Sequence, residues 1–317
     1  MPEVMRAAAI DRFGGPEVMS VQLLPVPQLG SDEVLIATHT AGVGPWDLEI
    51  REGGYGGRTR FPLILGVDGS GIVVARGARV RRFQIGDSIY AYSWNNAKGG
   101  FYAEYVAMPA QKAGQIPKTL DLKHAGAIAT TGLTALQGID DTLRVRRGET
   151  IVVHGATGGV GTLAVQFAKL RGAKVFGTAH HRDGLALLRR LGVDAAIEGR
   201  ADIIAEELGH LAPDGIDAVL ALVGGEALER AIDALRPGGR IAYPNGVEPK
   251  PRRRRGLAAR SYDAISGPPQ FQRLGRAVDA TDLKVVFAGT YPLTKAADAH
   301  RRLAAGHVLG KVVLRVR

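Results

Sequence analysis

Residues 151–161 constrain the fold more than any other stretch: Ile151-Val152-Val153-His154 runs straight into Gly155-Ala156-Thr157-Gly158-Gly159-Val160-Gly161. The β-branched run reads as a buried strand. Past the glycines, Val160, Leu163, Ala164, Phe167, Ala168 and Leu170 recur near helical spacing, which predicts a helix over residues 159–171. Strand, glycine-rich turn and helix in that order open a βα unit, and from Ala156 the turn reads A-x-G-x-x-G. A pyrophosphate needs backbone N–H groups presented at a helix N-terminus with no Cβ in the way. On this reading Gly158 lets the chain turn, Gly159 lets phosphate oxygens approach, and Gly161 lets the helix pack close to the sheet. The expected binding segment is Ala156, Thr157, Gly158, Gly159 and Val160.

The end of the following strand bears on which dinucleotide is bound. An NAD site places an acid about 20 residues past the glycines, where it holds the ribose 2′-hydroxyl. Here the chain reads Gly177-Thr178-Ala179-His180-His181-Arg182, with no acid before Asp183. A ribose 2′-phosphate is an anion that an arginine grips through two N–H groups. NADP(H) is therefore the expected cofactor, with Thr178, His180 and Arg182 at its ribose end. Both histidines read equally well as ordinary solvent-facing side chains.

At 317 residues the chain can form two domains. Up to residue 123, short β-rich runs at 18–24, 33–40, 64–74, 87–92 and 102–107 are separated by glycine, proline or charge, which predicts a barrel or sandwich. From there to residue 265 strands alternate with helices, the pattern of a parallel sheet wound on both faces. The tail, 266–317, returns to strand character, with strands at 284–288 and 311–316 around a helix at 295–305. The expected fold is α/β, with a doubly wound Rossmann domain (124–265) inserted between two pieces of a β-rich domain (1–123 and 266–317).

No cysteine occurs, which removes disulfides, thiolate zinc sites and a cysteine nucleophile together, and fits a cytoplasmic address. No stretch approaches the roughly 20 apolar residues that span a bilayer, and the apolar run near the start is too short for a signal-peptide core. The net charge of +10 gathers only at Lys250-Pro251-Arg252-Arg253-Arg254-Arg255, which reads as a solvated loop. Without aromatic interleaving elsewhere, the charge does not describe a nucleic-acid platform.

Several further motifs appear in order along nearly the whole chain: Ala41-Gly42-Val43-Gly44-Pro45-Trp46-Asp47, Pro62-Leu63-Ile64-Leu65-Gly66-Val67-Asp68-Gly69, Phe83-Gln84-Ile85-Gly86-Asp87, Thr131-Gly132-Leu133-Thr134-Ala135, Tyr291-Pro292-Leu293 and Gly306-His307-Val308-Leu309-Gly310-Lys311. With the glycine-rich turn, they resemble the medium-chain dehydrogenase/reductase superfamily, in its zinc-independent quinone oxidoreductase branch. That resemblance implies a GroES-like catalytic domain, a substrate cleft where it meets the Rossmann domain, and a homodimer formed through the Rossmann domains. It places Thr131, Val223, Asn245 and Gly246 on the nicotinamide side of the cofactor. Tyr55 matches a family tyrosine that could donate a hydrogen bond or a proton to a carbonyl; it reads equally as a loop residue packed against Trp46.

Zinc-dependent relatives carry a Cys and a His-Glu pair within the stretches matching Gly42 to Asp47 and Gly66 to Asp68, where this chain offers only Asp47 and Asp68. No metal site is expected, and without a Lewis acid alcohol oxidation is disfavoured. The implied reaction is NADPH-dependent reduction of a quinone or an α,β-unsaturated carbonyl. Alternatives are an enoyl-thioester or tailoring reductase of the same fold, and a cofactor-binding protein with a structural or RNA-binding role. Two departures stand out. Gly44 occupies the place where the branch commonly has Asn, and Ala221-Leu222-Val223 precedes Gly224 where an Asp is frequent.

Overall fold

The computed structural model describes residues 2–54 and 60–317. In chain order, its early elements are β1 (Val4–Ile10), β2 (Met19–Pro25), β3 (Glu33–Val43), α1 (Pro45–Glu52), β4 (Leu63–Ile64), β5 (Asp68–Arg76), β6 (Ser88–Tyr92), β7 (Tyr105–Pro109) and β8 (Ala113–Gln115). Next come α2 (Leu122–Gln137), β9 (Thr150–His154), α3 (Gly159–Leu170), β10 (Lys174–Ala179), α4 (Arg182–Arg190), β11 (Ala195–Glu198), α5 (Ala201–Leu211), β12 (Ile216–Ala221), α6 (Glu226–Asp233), β13 (Leu235–Pro244) and β14 (Ala258–Tyr262). The chain closes with α7 (Pro268–Asp279), β15 (Phe287–Pro292), α8 (Ala296–Ala304) and β16 (Lys311–Arg315). Among the described residues, no helix is long and apolar enough to cross a membrane.

The chain divides into two units. The first comprises Met1–Thr130, Ser266–Ala280 and Phe287–Arg317. Its larger sheet runs β15-β16-β3-β5-β6-β8, with β7 also paired to β3, and β2-β1-β4 form a smaller sheet. β3 is the long organising strand, pairing antiparallel with β16, β5 and β7. Its inward residues join Val73, Phe83, Phe101, Val106, Met108 and Leu314 in one core. β1 was not anticipated: Ala7-Ala8-Ala9 favours helix by local propensity. Pairing with β2 on one side and β4 on the other overrides that preference and buries all three alanines.

The second unit, Thr131–Ile265 with Thr281–Val286, contains a six-stranded sheet ordered β11-β10-β9-β12-β13-β14. Every adjacent pair is parallel. The chain builds outward from β9 to one side and then returns to build from β12 on the other, so the winding reverses between these neighbours. That is the place where an open α/β sheet holds its ligand, beyond the strands' carboxyl ends. Val152, Phe176, Ile197, Val219 and Ile241 form its core.

Two boundaries differ from the sequence reading. The units part between Thr130 and Thr131, inside α2, a few residues past the boundary expected at 123 and 124. The strand expected at 284–288 lies instead at Phe287–Pro292, paired with β16. Lys284 is held otherwise: its N–H donates to Gln166 Oε1 at 2.8 Å and its carbonyl accepts from Gln166 Nε2 at 3.0 Å. A side chain of α3 thus satisfies backbone groups that a strand neighbour would have taken.

Candidate functional site

The glycine-rich turn leaves β9 at His154 and enters α3 at Gly159. The sharp turn is made by Gly155, whose φ of 82° lies in the left-handed region. Gly158, expected to turn the chain, is extended at φ −75° and ψ 176°, a conformation open to any residue. What distinguishes Gly158 is space: an added Cβ would meet only Gly155 O, at 3.9 Å. A Cβ on Gly161 would collide with Gly155 O and with Ala156, so the close packing expected there is present. Thr162 N–H is the first amide of the helix to find a partner, at Gly158 O, and no side chain caps the end. The amides of Gly159, Val160 and Gly161 thus have no acceptor within the helix and form a ready anion cradle.

Thr178, at the end of β10, is buried and serves the turn rather than the open edge. Its Oγ1 accepts the Gly155 N–H at 3.1 Å and lies 3.0 Å from His154 Nδ1. Burial, with a smaller contribution from the charge of His180, lowers the His154 pKa to about 4, so this imidazole is neutral at physiological pH. His180 is exposed and its ring lies over Gly199, where a Cβ would sit 2.9 Å from Cε1. Arg182 is the first residue of α4 and is exposed, with no ion-pair partner among the described residues. Arg182 thus follows the end of β10 by three residues and is open to solvent.

Further along the same edge, Val223 follows β12. Its side chain stands over Gly155 and remains half exposed. Asn245 follows β13; its Nδ2 donates to Asp263 Oδ2 at 2.7 Å and its N–H to Tyr262 O at 3.0 Å. Gly246 turns the chain with φ of 92° and has open space where a Cβ would be. Parallel register sets these segments side by side, with Ala221 opposite His154 and Tyr262 opposite Pro244. Thr131 lies within α2 and is buried. The basic run is partly tied down, since Arg254 pairs with Glu229 at 2.7 Å and with Asp233 at 3.1 Å.

In the first unit, Tyr55 lies outside the described residues. Asp47 and Asp68 are wholly buried. Asp47 Oδ2 accepts the Gly44 N–H at 2.8 Å and so caps α1, while Asp68 Oδ2 accepts the Thr130 N–H at 3.1 Å. Lys311 Nζ stands 4.0 Å from Asp68 Oδ2 and 4.8 Å from the centre of the Trp46 ring. The donor set does not fit a catalytic zinc. No group of three or more His, Cys, Asp or Glu side chains gathers among the described residues. A dication at Asp68 would also be repelled by the ammonium already beside it. The sequence contained Lys311 without suggesting a role for it, although a lysine opening the apolar run Val312-Val313-Leu314 is a signal of burial.

Known proteins resemble this chain throughout. The alcohol dehydrogenase GroES-like domain family matches residues 30–118, and a family described as zinc-binding dehydrogenase matches residues 191–314. Quinone oxidoreductase of Mus musculus is 31% identical over 98% of each chain. An NADPH-dependent alkenal/one oxidoreductase of Arabidopsis thaliana is 29% identical, covering 99% of this chain and 80% of its own. Among solved structures, one described as an NAD-dependent alcohol dehydrogenase has 33% identity and a TM-score of 0.91, over 99% of this chain and 100% of that one. A mycobacterial protein solved in complex with NADPH has 27% identity and a TM-score of 0.87, over 98% and 100%.

Proposed function

This chain belongs to the medium-chain dehydrogenase/reductase superfamily, in its zinc-independent quinone oxidoreductase branch, and from that premise we propose that it is an NADPH-dependent reductase of quinones or α,β-unsaturated carbonyls. The observation that carries the proposal is the open cradle at the start of α3, with exposed Arg182 opening α4 just after the neighbouring strand β10 and no acid there before Asp183. The descriptions of the relatives divide between the two coenzymes, so the preference for NADPH rests on Arg182.

NADPH, when bound, supplies a hydride equivalent from its nicotinamide ring. The chain's part is to hold and orient it. Amides of Gly159, Val160 and Gly161 take the diphosphate, and Arg182, with His180 beside it, takes the 2′-phosphate. Val223 offers an apolar face, and Asn245 and Gly246 offer backbone groups without a Cβ at Gly246 to block approach. Neutral His154 and the Thr178 hydroxyl keep Gly155 in its turn without adding charge beneath the diphosphate. Tyr55 is the proposed donor to the acceptor carbonyl. The resemblance to an alkenal/one oxidoreductase favours conjugated carbonyls alongside quinones.

Steady-state turnover with NADPH against simple quinones, enones and an enoyl thioester tests this reading. Oxidation of NADPH by quinones or enones is the expected result. Turnover confined to the thioester would move the chain to the enoyl-reductase reading. No turnover with any acceptor, together with salt-sensitive RNA binding lost when Arg252 and Arg253 are neutralised, would replace the enzyme reading altogether.

A further inference from the structure

The first unit buries more charge than the proposed reaction uses. Asp47 on α1, Asp68 on β5 and Lys311 on β16 meet below Gly42, where any Cβ would collide with the Asp68 carboxyl. Asp47 Oδ1, Asp68 Oδ1, Lys311 Nζ and Trp46 Nε1 are all buried without a hydrogen-bond partner. From the other side, Tyr102 turns its hydroxyl toward Asp47 and lies 3.1 Å from His300 Nε2 on α8. His300 Nδ1 in turn lies 2.9 Å from Arg51 Nη1. A guanidinium only donates, so His300 Nδ1 accepts, its Nε2 carries the proton and donates to Tyr102, and the phenol O–H is left for Asp47. Arg51 is itself buried and pairs with Glu52.

The charges around Asp47 can then be summed. Lys311 and Arg51 are the cations; Asp47, Asp68 and Glu52 are the carboxyls; Tyr102 and His300 are neutral. Glu52, whose side chain is exposed, answers Arg51 at the edge, so within the buried cluster Asp47 and Asp68 face the Lys311 ammonium alone; with both ionised, one negative charge is uncompensated there, which is costly in a dry interior. One proton removes it.

We propose that Asp47, Asp68 and Lys311 form a one-proton cluster that positions the middle of α2: the proton resides on Asp47, which leaves Lys311 to serve Asp68 alone, and Asp68 holds the Thr130 N–H next to Thr131. Asp68 is thus a positioning residue, acting through Thr130. Asp47 decides how firmly Asp68 is held, because its ionisation makes a second claim on the same ammonium. Burial first, then the charge of Asp68, raises the Asp47 pKa to about 7, against the pull of the Gly44 and Val67 amides and of Lys311. The inference rests on the proposed cofactor role of Thr131, but the proton itself can be detected without cofactor.

Infrared difference spectroscopy of the full chain, from mildly acidic to mildly basic pH, reads the carboxyl stretch of a buried protonated acid. We expect the band to disappear with a midpoint near neutrality and to be absent in Asp47→Asn, which keeps an acceptor for Gly44. Asp68→Asn removes the like charge and moves the midpoint down by about one pH unit, whereas Lys311→Met removes the cation and moves it up. In the wild type, NADPH affinity weakens across the same transition, and in Asp47→Asn it becomes independent of pH there. A wild-type chain without the band overturns the proposal, and so do midpoints that fail to move in opposite directions. If the band titrates while NADPH affinity stays constant with pH, the positioning role is overturned. A chain that shows the band but binds no nicotinamide coenzyme contradicts the proposed function and leaves the proton on Asp47 established.

Discussion

Arg182 and Lys311 are both cations, and their surroundings assign them opposite tasks. Arg182 is exposed at the start of α4 and free to meet an anion from outside the chain. Replacing it with Ala removes one charge-assisted contact, so NADPH affinity should fall about tenfold while NADH affinity stays nearly constant; paired fluorescence titrations check this, and equal losses would contradict the 2′-phosphate assignment. Lys311 is buried and answers internal acids. Asp47, with a folded pKa near 7, binds its proton more tightly than in the unfolded chain. Its contribution to stability is complete below about 3.8 and is lost as pH rises through about 7. Buried His154 and His300, with pKa values of about 4 and about 3, act with the opposite sign: their contribution is complete above about 6.5 and is lost as pH falls. Urea unfolding at several pH values should therefore show the stability of wild type relative to Asp47→Asn declining from pH 4 to 7. A constant difference would place the Asp47 titration elsewhere.

At the scale of elements, the turn between β9 and α3 separates two uses of glycine. Gly161→Ala drives a methyl into Gly155 and Ala156 and should cost about 1–3 kcal/mol of stability in thermal or urea unfolding, the usual range for an overpacked site. Gly158→Ala meets open space in an ordinary conformation. It should change stability by no more than about 0.5 kcal/mol yet weaken coenzyme binding, because the methyl stands over the amides of α3; unchanged binding would place the diphosphate elsewhere. The sequence displayed the strand, the glycines and the helix because these depend on local composition and period. It did not display that Gly155 makes the turn, since the sign of φ depends on where β9 and β12 lead the chain. β1 was hidden for a related reason: its alanines become a strand only through their neighbours in the sheet. The meeting of Asp47, Asp68 and Lys311 was also hidden, because it joins α1, β5 and β16 from distant parts of the chain.

In the molecule as a whole, the six-stranded parallel sheet collects at one edge residues that the sequence scatters from Ala156 to Gly246, because parallel strands all end on the same side. β14 closes that sheet on one side with its residues largely exposed. We expect two copies of the chain to associate through this domain, so light scattering after gel filtration should give twice the mass of one chain; a monomer at all concentrations would contradict that assembly. The proposed reductase activity depends on a dinucleotide held by the amides that open α3. Isothermal titration of the purified protein with NADPH and with NADH tests this most directly. Saturable binding of one equivalent of NADPH per chain, with NADH clearly weaker, is the expected outcome. Absence of heat with both coenzymes would contradict the claim.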